Sequence, residues 1–397
     1  MAFVLDPELE RYSTPLQWSY LQAWETHGSE RSAGKALGVR RNSISQAWSA
    51  VKKKAALRGY APEEGVIKTT PEGYHIRGTS TLYDADGDQV MQWVKTGQDQ
   101  EQQDQAIDAA IAGFADMVPR AKPRKATGKD YISDLLAAYP VGDHHLGMLS
   151  WKPETGADWD IDLGEKTLIG AMDHLVKTAP PAETALIAFL GDYMHYDSYS
   201  VATPKSNNAL DSDTRFPKLV RVAIRSMRYL IERALDKHKT VNVIVEAGNH
   251  DVASSVFLRE CLYNVYENEP RVIVDDAPGH FHYLRFGSVF IGTHHGDTVR
   301  IGGRGTKLGD RLPLIMAADR PEDWGATTHR YWWTGHIHHD RVVDHTGCRV
   351  ESFRVLAPGD AWHNESGYRA ARDMKAVVLH KDHGEVARHI VNPDMLI

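Results

Sequence analysis

From residue 131 to the C-terminus, short apolar runs alternate with longer amphipathic stretches. The runs "AAYPV", "TALIAFLGD" and "TVNVIVEAGNHD" have the length and composition of buried strands. Between them, residues 163–179 and the stretch "FPKLVRVAIRSMRYLIERALDKH" predict helices, and "DMKAVVLHKDHGEVARHIV" predicts a closing hairpin. This alternation is typical of an α/β domain, which we expect to span residues 131–397.

Side chains that ligate metals or move protons follow the predicted strands. Nineteen of the 21 histidines lie after residue 130. Asp143 and His145 are two residues apart, so an extended backbone directs them to the same side. Other strand ends carry Asp192, Asn249, His250, Asp251, His294, His295, His336 and His338. Because sites in α/β folds collect at the carboxyl ends of strands, these residues are expected to converge on one point.

The five strand ends read "GDHHLG", "GDYMH", "GNHD", "HHGD" and "GHIH" in chain order. The ordered set G-D-x-H-x-G, G-D, G-N-H-D, H-G and G-H-x-H resembles that of calcineurin-like metallophosphoesterases. The resemblance covers residues 131–397, about two thirds of the chain. It implies a four-layer α-β-β-α metallophosphoesterase sandwich and a metal-dependent phosphoesterase activity.

The resemblance also implies a site for two divalent metal ions. One ion would be held by Asp143, His145 and His338, the second by Asn249, His295 and His336, with Asp192 bridging both. Mixed nitrogen and oxygen ligands without thiolate favour Mn²⁺, our first expectation, or Fe, Zn or Co, over Ca²⁺. Two such ions hold a bridging hydroxide that attacks phosphorus in line.

Other residues near the motifs have roles that the resemblance implies or that remain open. His250 would be the catalytic imidazole that protonates the leaving oxygen, with Asp251 orienting it. Either His294 or His295 could be the ligand; His295 fits the H-G pattern better, which would give His294 a supporting role. His195 resembles a histidine of the double-strand-break repair nuclease branch, or is an ordinary loop histidine.

Three further residues of this domain are assigned by their position in the sequence. His144 occupies a variable position within "GDHHLG", so it is expected to support the ligands or to lie on the surface. Trp332 and Trp333 are adjacent in a predicted strand, where successive side chains point to opposite faces. One of the two is therefore expected in the core.

The first 60 residues predict a small helical domain. The stretches "LQWSYLQAWETH", "GSERSAGKALG" and "VRRNSISQAWSAVKKKAALRG" form three helical segments with a turn at Gly38, which is a helix-turn-helix-like pattern. Residues 28–60 contain eight basic residues and one acid, in a chain of net charge −7. Such a basic segment suits DNA phosphates, contacted here by Arg40, Arg41, Lys52 and Lys53, or is a solvated face of a helical bundle.

Residues 61–130 connect the two predicted domains. Residues 66–96 predict a hairpin with a turn at Asp86-Gly87, and the polar residues 97–118 predict a helix. The stretch "PRAKPRKATGKD", residues 119–130, predicts a linker. The sequence thus divides into residues 1–60, 61–130 and 131–397.

Taken together, these features predict a dinuclear-metal-dependent phosphoesterase that cleaves phosphodiester bonds, with DNA as substrate and partner. The alternative is a phosphatase or phosphodiesterase acting on a small phosphate ester or nucleotide. A DNA-binding regulator with a degenerate site is disfavoured, since every ligand position carries a competent residue. Two cysteines, no apparent signal peptide and no apolar run of about 18 residues predict a cytoplasmic protein.

Overall fold

The computed structural model describes residues 3–62, 74–83, 89–98, 120–126, 130–204, 208–299, 308–365, 367 and 369–396. The chain divides into two compact units, Met1–Ala110 and Ile111–Ile397. The boundaries predicted at residues 60 and 130 stay predictions. Most of the helix predicted over 97–118 lies outside the described residues.

The described residues of the N-terminal unit form helices followed by a hairpin. A 3₁₀ helix precedes α1, α2 and α3, and the strands β1 and β2 pair antiparallel; in order, these are Pro7–Tyr12, Pro15–His27, Glu30–Leu37, Arg41–Leu57, Tyr74–Tyr83 and Gln89–Gln98. The predicted hairpin is confirmed, and its turn lies outside the described residues. Helix α2 ends at Gly38, whose φ of 69° is accessible to glycine without strain.

An aromatic core joins α1, α3 and the N-terminal segment of this unit. Phe3 stacks on Trp24 with ring centroids 4.0 Å apart, and both rings meet Trp48 of α3 edge-on. Ile44 and Val51 of α3 are fully buried, two turns apart on one face of the helix. That burial leaves most of the basic residues of α3 exposed.

The second unit contains two sheets. One sheet has six strands in the order β13-β12-β3-β4-β5-β6, and the other has five in the order β10-β11-β9-β8-β7. In chain order, strands β3 to β13 are Ile132–Val141, Ala182–Phe189, Thr240–Val245, Val272–Val274, His282–Phe286, Val289–Thr293, His329–Thr334, Arg341–His345, Cys348–Ser352, Met374–His380 and Gly384–Val391. The predicted closing hairpin is β12–β13.

Helices cover the outer faces of both sheets. Helices α4 to α10 are Lys152–Thr155, Ile161–Thr178, Phe216–Leu235, Val252–Tyr266, Leu308–Asp319, Pro321–Gly325 and Ala361–Glu365. Helices α5, α6 and α7 pack on the six-stranded sheet, and α8 packs on the five-stranded sheet. A separate apolar cluster fills the space between the sheets. The expected four-layer α-β-β-α architecture is confirmed.

The strands that carry the motifs are parallel neighbours in each sheet. Strands β3, β4 and β5 run parallel and end level, with Val141 beside Phe189 and Phe189 beside Val245. Strands β8 and β9 are also parallel, with Thr293 beside Trp333. Parallel strands direct their carboxyl ends to one edge, so all five predicted ligand loops leave the sandwich at the same end.

Two neighbouring tryptophans show how completely the five-stranded sheet is buried. Trp333 packs into the cluster between the sheets, whereas Trp332 packs beneath α8 against Met316. Both side chains are essentially inaccessible to solvent. One core tryptophan was expected; because both faces of β9 are covered, both are core residues.

The described part of the predicted linker, residues 120–126, packs within the second unit. The Ala121 N–H donates to the Val265 carbonyl at 2.6 Å, and the Arg124 N–H donates to Glu269 Oε2 at 2.5 Å. Residues 120–126 are therefore held against the end of α7 rather than free of contacts.

Cys261 and Cys348 are buried and unpaired. Among the described helices, none is long and apolar enough to cross a membrane.

Candidate metal centre

The loops after the five parallel strands bring seven predicted ligands together. Two groups of donors each have their ligand atoms within 4.8 Å of one another. The first is Asp143, His145 and His338; the second is Asp192, His295 and His336. Asn249 joins the second group, because its Oδ1 lies 3.2 Å from His295 Nε2. Both predicted ligand sets are thus assembled, although the residues come from distant parts of the chain.

The two groups adjoin each other. His295 Nε2 lies 3.2 Å from Asp192 Oδ2 in its own group and 4.0 Å from Asp143 Oδ1 in the other. Within the first group, His338 Nε2 lies 3.1 Å from His145 Nε2 and 3.5 Å from Asp143 Oδ1. Two divalent ions held by these groups would therefore be close neighbours.

These separations fit metal coordination. Ligand atoms about 2.0–2.2 Å from one ion lie roughly 3.0–3.5 Å from each other in octahedral or tetrahedral geometry. The distances between His145 and His338, and between His295 and Asn249, fall in this range. Imidazole nitrogens and oxygen donors without thiolate suit Mn, Fe, Co or Zn. The donor set therefore fits two divalent ions.

The backbone at the ligands is strained. Among the described residues, five that are not glycine have positive φ, from 22° to 70°. They are Asp143, His145, Asp192, His336 and His338, all of them predicted ligands. Each such conformation costs on the order of 1–3 kcal/mol and persists only where the surroundings enforce it. The fold thus holds these side chains in directions that an extended strand end would not give.

Two motif glycines allow the carboxylates to approach the neighbouring loops. A Cβ on Gly248 of "GNHD" would collide with Asp192 Oδ1, and one on Gly335 of "GHIH" would collide with Asp143 Oδ2. In addition, the His336 N–H donates to both oxygens of Asp143, at 2.9 and 2.8 Å. These motif glycines are required by the close packing of ligand loops.

Asp251 does not orient His250, contrary to expectation. Its buried carboxylate accepts four backbone N–H groups. The donors are Asp192 (3.2 Å), Tyr193 (2.8 Å), Met194 (3.1 Å) and Gly248 (3.0 Å). Asp251 therefore fastens the loop after β4 to the loop after β5. Burial and the nearby Asp192 carboxylate raise the pKa of Asp251 to about 7, and the backbone donors oppose that shift.

His195 provides the contact that orients His250. The carbonyl oxygen of His195 lies 2.8 Å from His250 Nδ1, which places a proton on Nδ1 and leaves Nε2 for chemistry. The His195 ring is buried, and its Nδ1 lies 3.2 Å from His145 Nδ1. His195 thus contacts a predicted ligand and the predicted catalytic histidine, so it is part of the site rather than an ordinary loop histidine.

The structure separates His295 from His294. His295 Nε2 points into the second donor group while its Nδ1 contacts the Leu190 carbonyl at 2.8 Å. The ring of His294 stacks on Phe281 instead, and its Nε2 lies 3.1 Å from Thr298 Oγ1. Burial lowers the pKa of His294 to about 3. His295, and not His294, is therefore the residue whose ring lies among the other predicted ligands.

His144 lies in the protein core. Its ring packs between Trp159 and Tyr193, with centroids 5.9 and 5.6 Å away. Burial lowers the pKa of His144 to about 4, so the ring is neutral at physiological pH. The surface alternative is therefore wrong, because the residue packs on the helical side of the six-stranded sheet; the ligand-supporting alternative stays a prediction.

Carboxylates and imidazoles in the two groups shift each other's pKa. Burial would raise the pKa of Asp192, but the positive charge available on His295 outweighs burial and lowers it. Burial likewise opposes charge on His295, whose pKa nevertheless lies well above its ordinary value because of Asp192. Such coupling favours charged carboxylates in the site, the form that ligates a cation.

The predicted DNA-contacting residues lie on α3 and at its start. Arg40 and Lys53 are exposed. Arg41 forms an ion pair with Glu30 at 2.8 Å, and the Lys52 ammonium lies over the Trp48 ring, 5.4 Å from its centroid. Arg40 and Lys53 are thus the two that present an exposed charge without a close ion pair among the described contacts.

The sequence matches no protein-family model and no curated protein. Among solved structures, it is similar to YfcE, a phosphoesterase from E. coli, with 12% identity over 64% of this chain and 100% of that one, at a TM-score of 0.31. An archaeal phosphodiesterase matches with 13% identity over 65% of this chain and 99% of its own, at a TM-score of 0.32.

A third similar structure is wild-type Vps29 from Entamoeba histolytica in complex with zinc. It shares 13% identity over 65% of this chain and 99% of its own, at a TM-score of 0.27.

Proposed function

We propose that the second unit is a calcineurin-like metallophosphoesterase that hydrolyses phosphodiester bonds with two divalent metal ions. The observation that carries this proposal is the pair of adjoining donor groups centred on His338 and His295. Their donor separations match those around metal ions, and the ordered motifs supply every member. Two ions bound there would act as Lewis acids toward phosphoryl oxygens and lower the pKa of water.

The protein's own residues supply proton transfer and orientation. His250 lies beside both groups, since its ring centroid is 4.8 Å from that of His145 and its backbone N–H donates to Asp192 Oδ1 at 2.7 Å. With Nδ1 directed to the His195 carbonyl, His250 Nε2 protonates the leaving oxygen. Asp251 keeps the two loops together, so it assists His250 only through the backbone.

We propose DNA as the substrate, so that the enzyme is a nuclease. The support is the N-terminal unit, where a helix, a short turn and a longer basic helix resemble a helix-turn-helix. Exposed cations such as Arg40 and Lys53 suit binding to phosphates, whose affinity is electrostatic and salt-dependent. The alternative, a phosphatase or phosphodiesterase for small esters or nucleotides, would use the same metal ligands.

We further propose Mn²⁺ as the working metal and the cytoplasm as the location. Imidazole and carboxylate ligands together suit Mn²⁺, although they also accept Fe, Zn or Co. The unpaired cysteines Cys261 and Cys348 suit a reducing compartment.

The deciding experiment compares substrates with metal-reconstituted protein. Wild type loaded with Mn²⁺ is assayed on single-stranded DNA, duplex DNA, bis-p-nitrophenyl phosphate and p-nitrophenyl phosphate. The Asp192→Asn variant, which loses the bridging charge but not the side-chain shape, serves as the blank. DNA cleavage by wild type alone supports a nuclease. Turnover of the small esters with intact DNA moves the assignment to the alternative, and equal turnover by both proteins refutes the two-metal model.

A further inference from the structure

A buried hydrogen bond connects the two sheets directly below the second donor group. Glu246 follows β5 and precedes Asn249 by three residues; Thr293 ends β8 and precedes His295 by two. Thr293 Oγ1 donates to Glu246 Oε1 at 2.5 Å. Since β5 and β8 belong to different sheets, this bond crosses the sandwich at the level where the two ligands emerge.

Other buried polar groups lie beside Glu246. His282 of β7 lies with Nε2 3.9 Å from Glu246 Oε2 and with Nδ1 3.2 Å from Asp275 Oδ2. Glu246 and His282 are each only 1% exposed. Arg259 of α7, also buried, adds positive charge beside Asp275. Burying such a group is unfavourable unless it is paired, so an apolar residue would serve simple packing better.

Two predicted ligands follow this bond along the chain after β5 and β8, and their separation suits coordination. Asn249 Oδ1 and His295 Nε2 lie 3.2 Å apart, although they come from different sheets. The ordered motifs contain neither Glu246 nor Thr293, and neither residue belongs to a donor group. Residues that orient metal ligands from behind typically change metal affinity by about 10- to 100-fold when they are removed.

We propose that Glu246, through Thr293, is a positioning residue that sets the separation of Asn249 and His295 and thereby the affinity of the second metal position. This inference rests on the proposed two-metal function. It predicts that the second metal position depends on the Glu246–Thr293 bond while the first, built from other strands, does not.

The test uses calorimetric titration of the full chain with Mn²⁺, together with the electron paramagnetic resonance signal of a coupled manganese pair. Thr293→Val removes the hydroxyl at constant shape, and Glu246→Met removes the acceptor. Both variants are expected to weaken the second Mn²⁺ by about 10- to 100-fold and to lose the coupled signal. Glu246→Gln keeps an acceptor for Thr293, so it is expected to restore binding to within a few-fold of wild type.

A matched control exists in Glu351. Its carboxylate is equally buried and also joins the two sheets, through hydrogen bonds from Arg388 of β13. Glu351→Met should lower the melting temperature but leave both Mn²⁺ affinities unchanged. Thermal unfolding of every variant confirms that the titrated protein is folded.

Three results would overturn the inference. Wild type that binds a single Mn²⁺ removes the two-metal function and the inference with it. Wild type that binds two ions, while Thr293→Val and Glu246→Met bind two with unchanged affinity, removes the inference alone. An equal loss of the second ion in Glu351→Met would mean that the effect is general destabilisation rather than positioning.

Discussion

Replacing Asp251 by asparagine should destabilise the loops that form the site, although Asp251 is not itself a predicted metal ligand. The carboxylate is buried and accepts four backbone N–H groups, two on each oxygen: Asp192 and Gly248 on Oδ1, Tyr193 and Met194 on Oδ2. An amide of the same shape has one acceptor oxygen. Whichever way it is turned, two N–H groups face its NH₂ and lose their acceptor.

The structure gives the size of this effect. Each buried donor left without a partner costs about 1–3 kcal/mol, so Asp251→Asn should lose about 2–6 kcal/mol of unfolding free energy. That is a large part of the roughly 5–15 kcal/mol that stabilises a typical domain. The loops carrying Asp192 and Asn249 would also separate, so binding of Mn²⁺ should weaken in the folded fraction.

The assay is urea unfolding of metal-free protein followed by tryptophan fluorescence. It is performed at about pH 5.5 and at about pH 8. Burial and Asp192 raise the pKa of Asp251 to about 7, so charging the carboxylate costs wild type stability as the pH rises, and asparagine avoids that cost. The loss in Asp251→Asn should therefore be larger at the lower pH. The control is Asp162→Asn, in which an 81% exposed carboxylate pairs with Lys218 at 3.6 Å. That pair should contribute less than about 1 kcal/mol. A loss in Asp251→Asn no larger than in this control would refute the four-donor role.

Three further predictions test other parts of the structure. His195→Phe keeps the carbonyl that contacts His250, the predicted catalytic histidine, but loses the ring nitrogen beside the predicted ligand His145. Calorimetry should therefore show Mn²⁺ affinity reduced by about 10- to 100-fold, and unchanged affinity would make the ring a packing residue. The double variant Arg40→Ala/Lys53→Ala should reduce the slope of log affinity for duplex DNA against log salt concentration by about two, as measured by fluorescence anisotropy. Arg41→Ala should change the slope less, because Arg41 is already paired with Glu30. An unaltered slope in the double variant would show that this surface does not bind DNA phosphates. Burial raises the pKa of Glu246 from its ordinary 4.5 to about 7, so between these values the native state binds more protons than the unfolded state. Wild type therefore loses stability as the pH rises through this range, and metal-free Glu246→Gln does not, so the stability of the variant relative to wild type should improve by about 3 kcal/mol between pH 4.5 and 7.5. A pH-independent difference in urea unfolding would contradict the raised pKa.

Several features of the site were predictable from the sequence because they are local. Five ligand-bearing segments each follow an apolar run, and runs of that kind form adjacent parallel strands whose ends meet at one edge. The resemblance of their order to that of calcineurin-like metallophosphoesterases implied two metal positions, and the structure brings Asp143, His338, Asp192 and His295 together. The closing hairpin and the three N-terminal helices were predictable for the same reason, since periodicity is a property of neighbouring residues.

Other assignments depended on contacts between distant residues. His294 and His295 are adjacent in the sequence, and the backbone direction after β8 sends one toward Phe281 and the other toward Asn249. Asp251 lies beside the predicted catalytic histidine in the sequence. Its hydrogen bonds nevertheless go to the loop after β4, some 58 residues away.

By itself, the sequence determined which elements form and which residues are available at their ends, because hydrophobic periodicity and the steric demands of strands act over a few residues. Only the tertiary structure decided how each end is turned. The positive φ angles at Asp143, Asp192 and His336, and the bond from Thr293 to Glu246 across the sandwich, arise where loops from two sheets pack against one another. No local pattern encodes that packing, since each constraint comes from a different part of the chain.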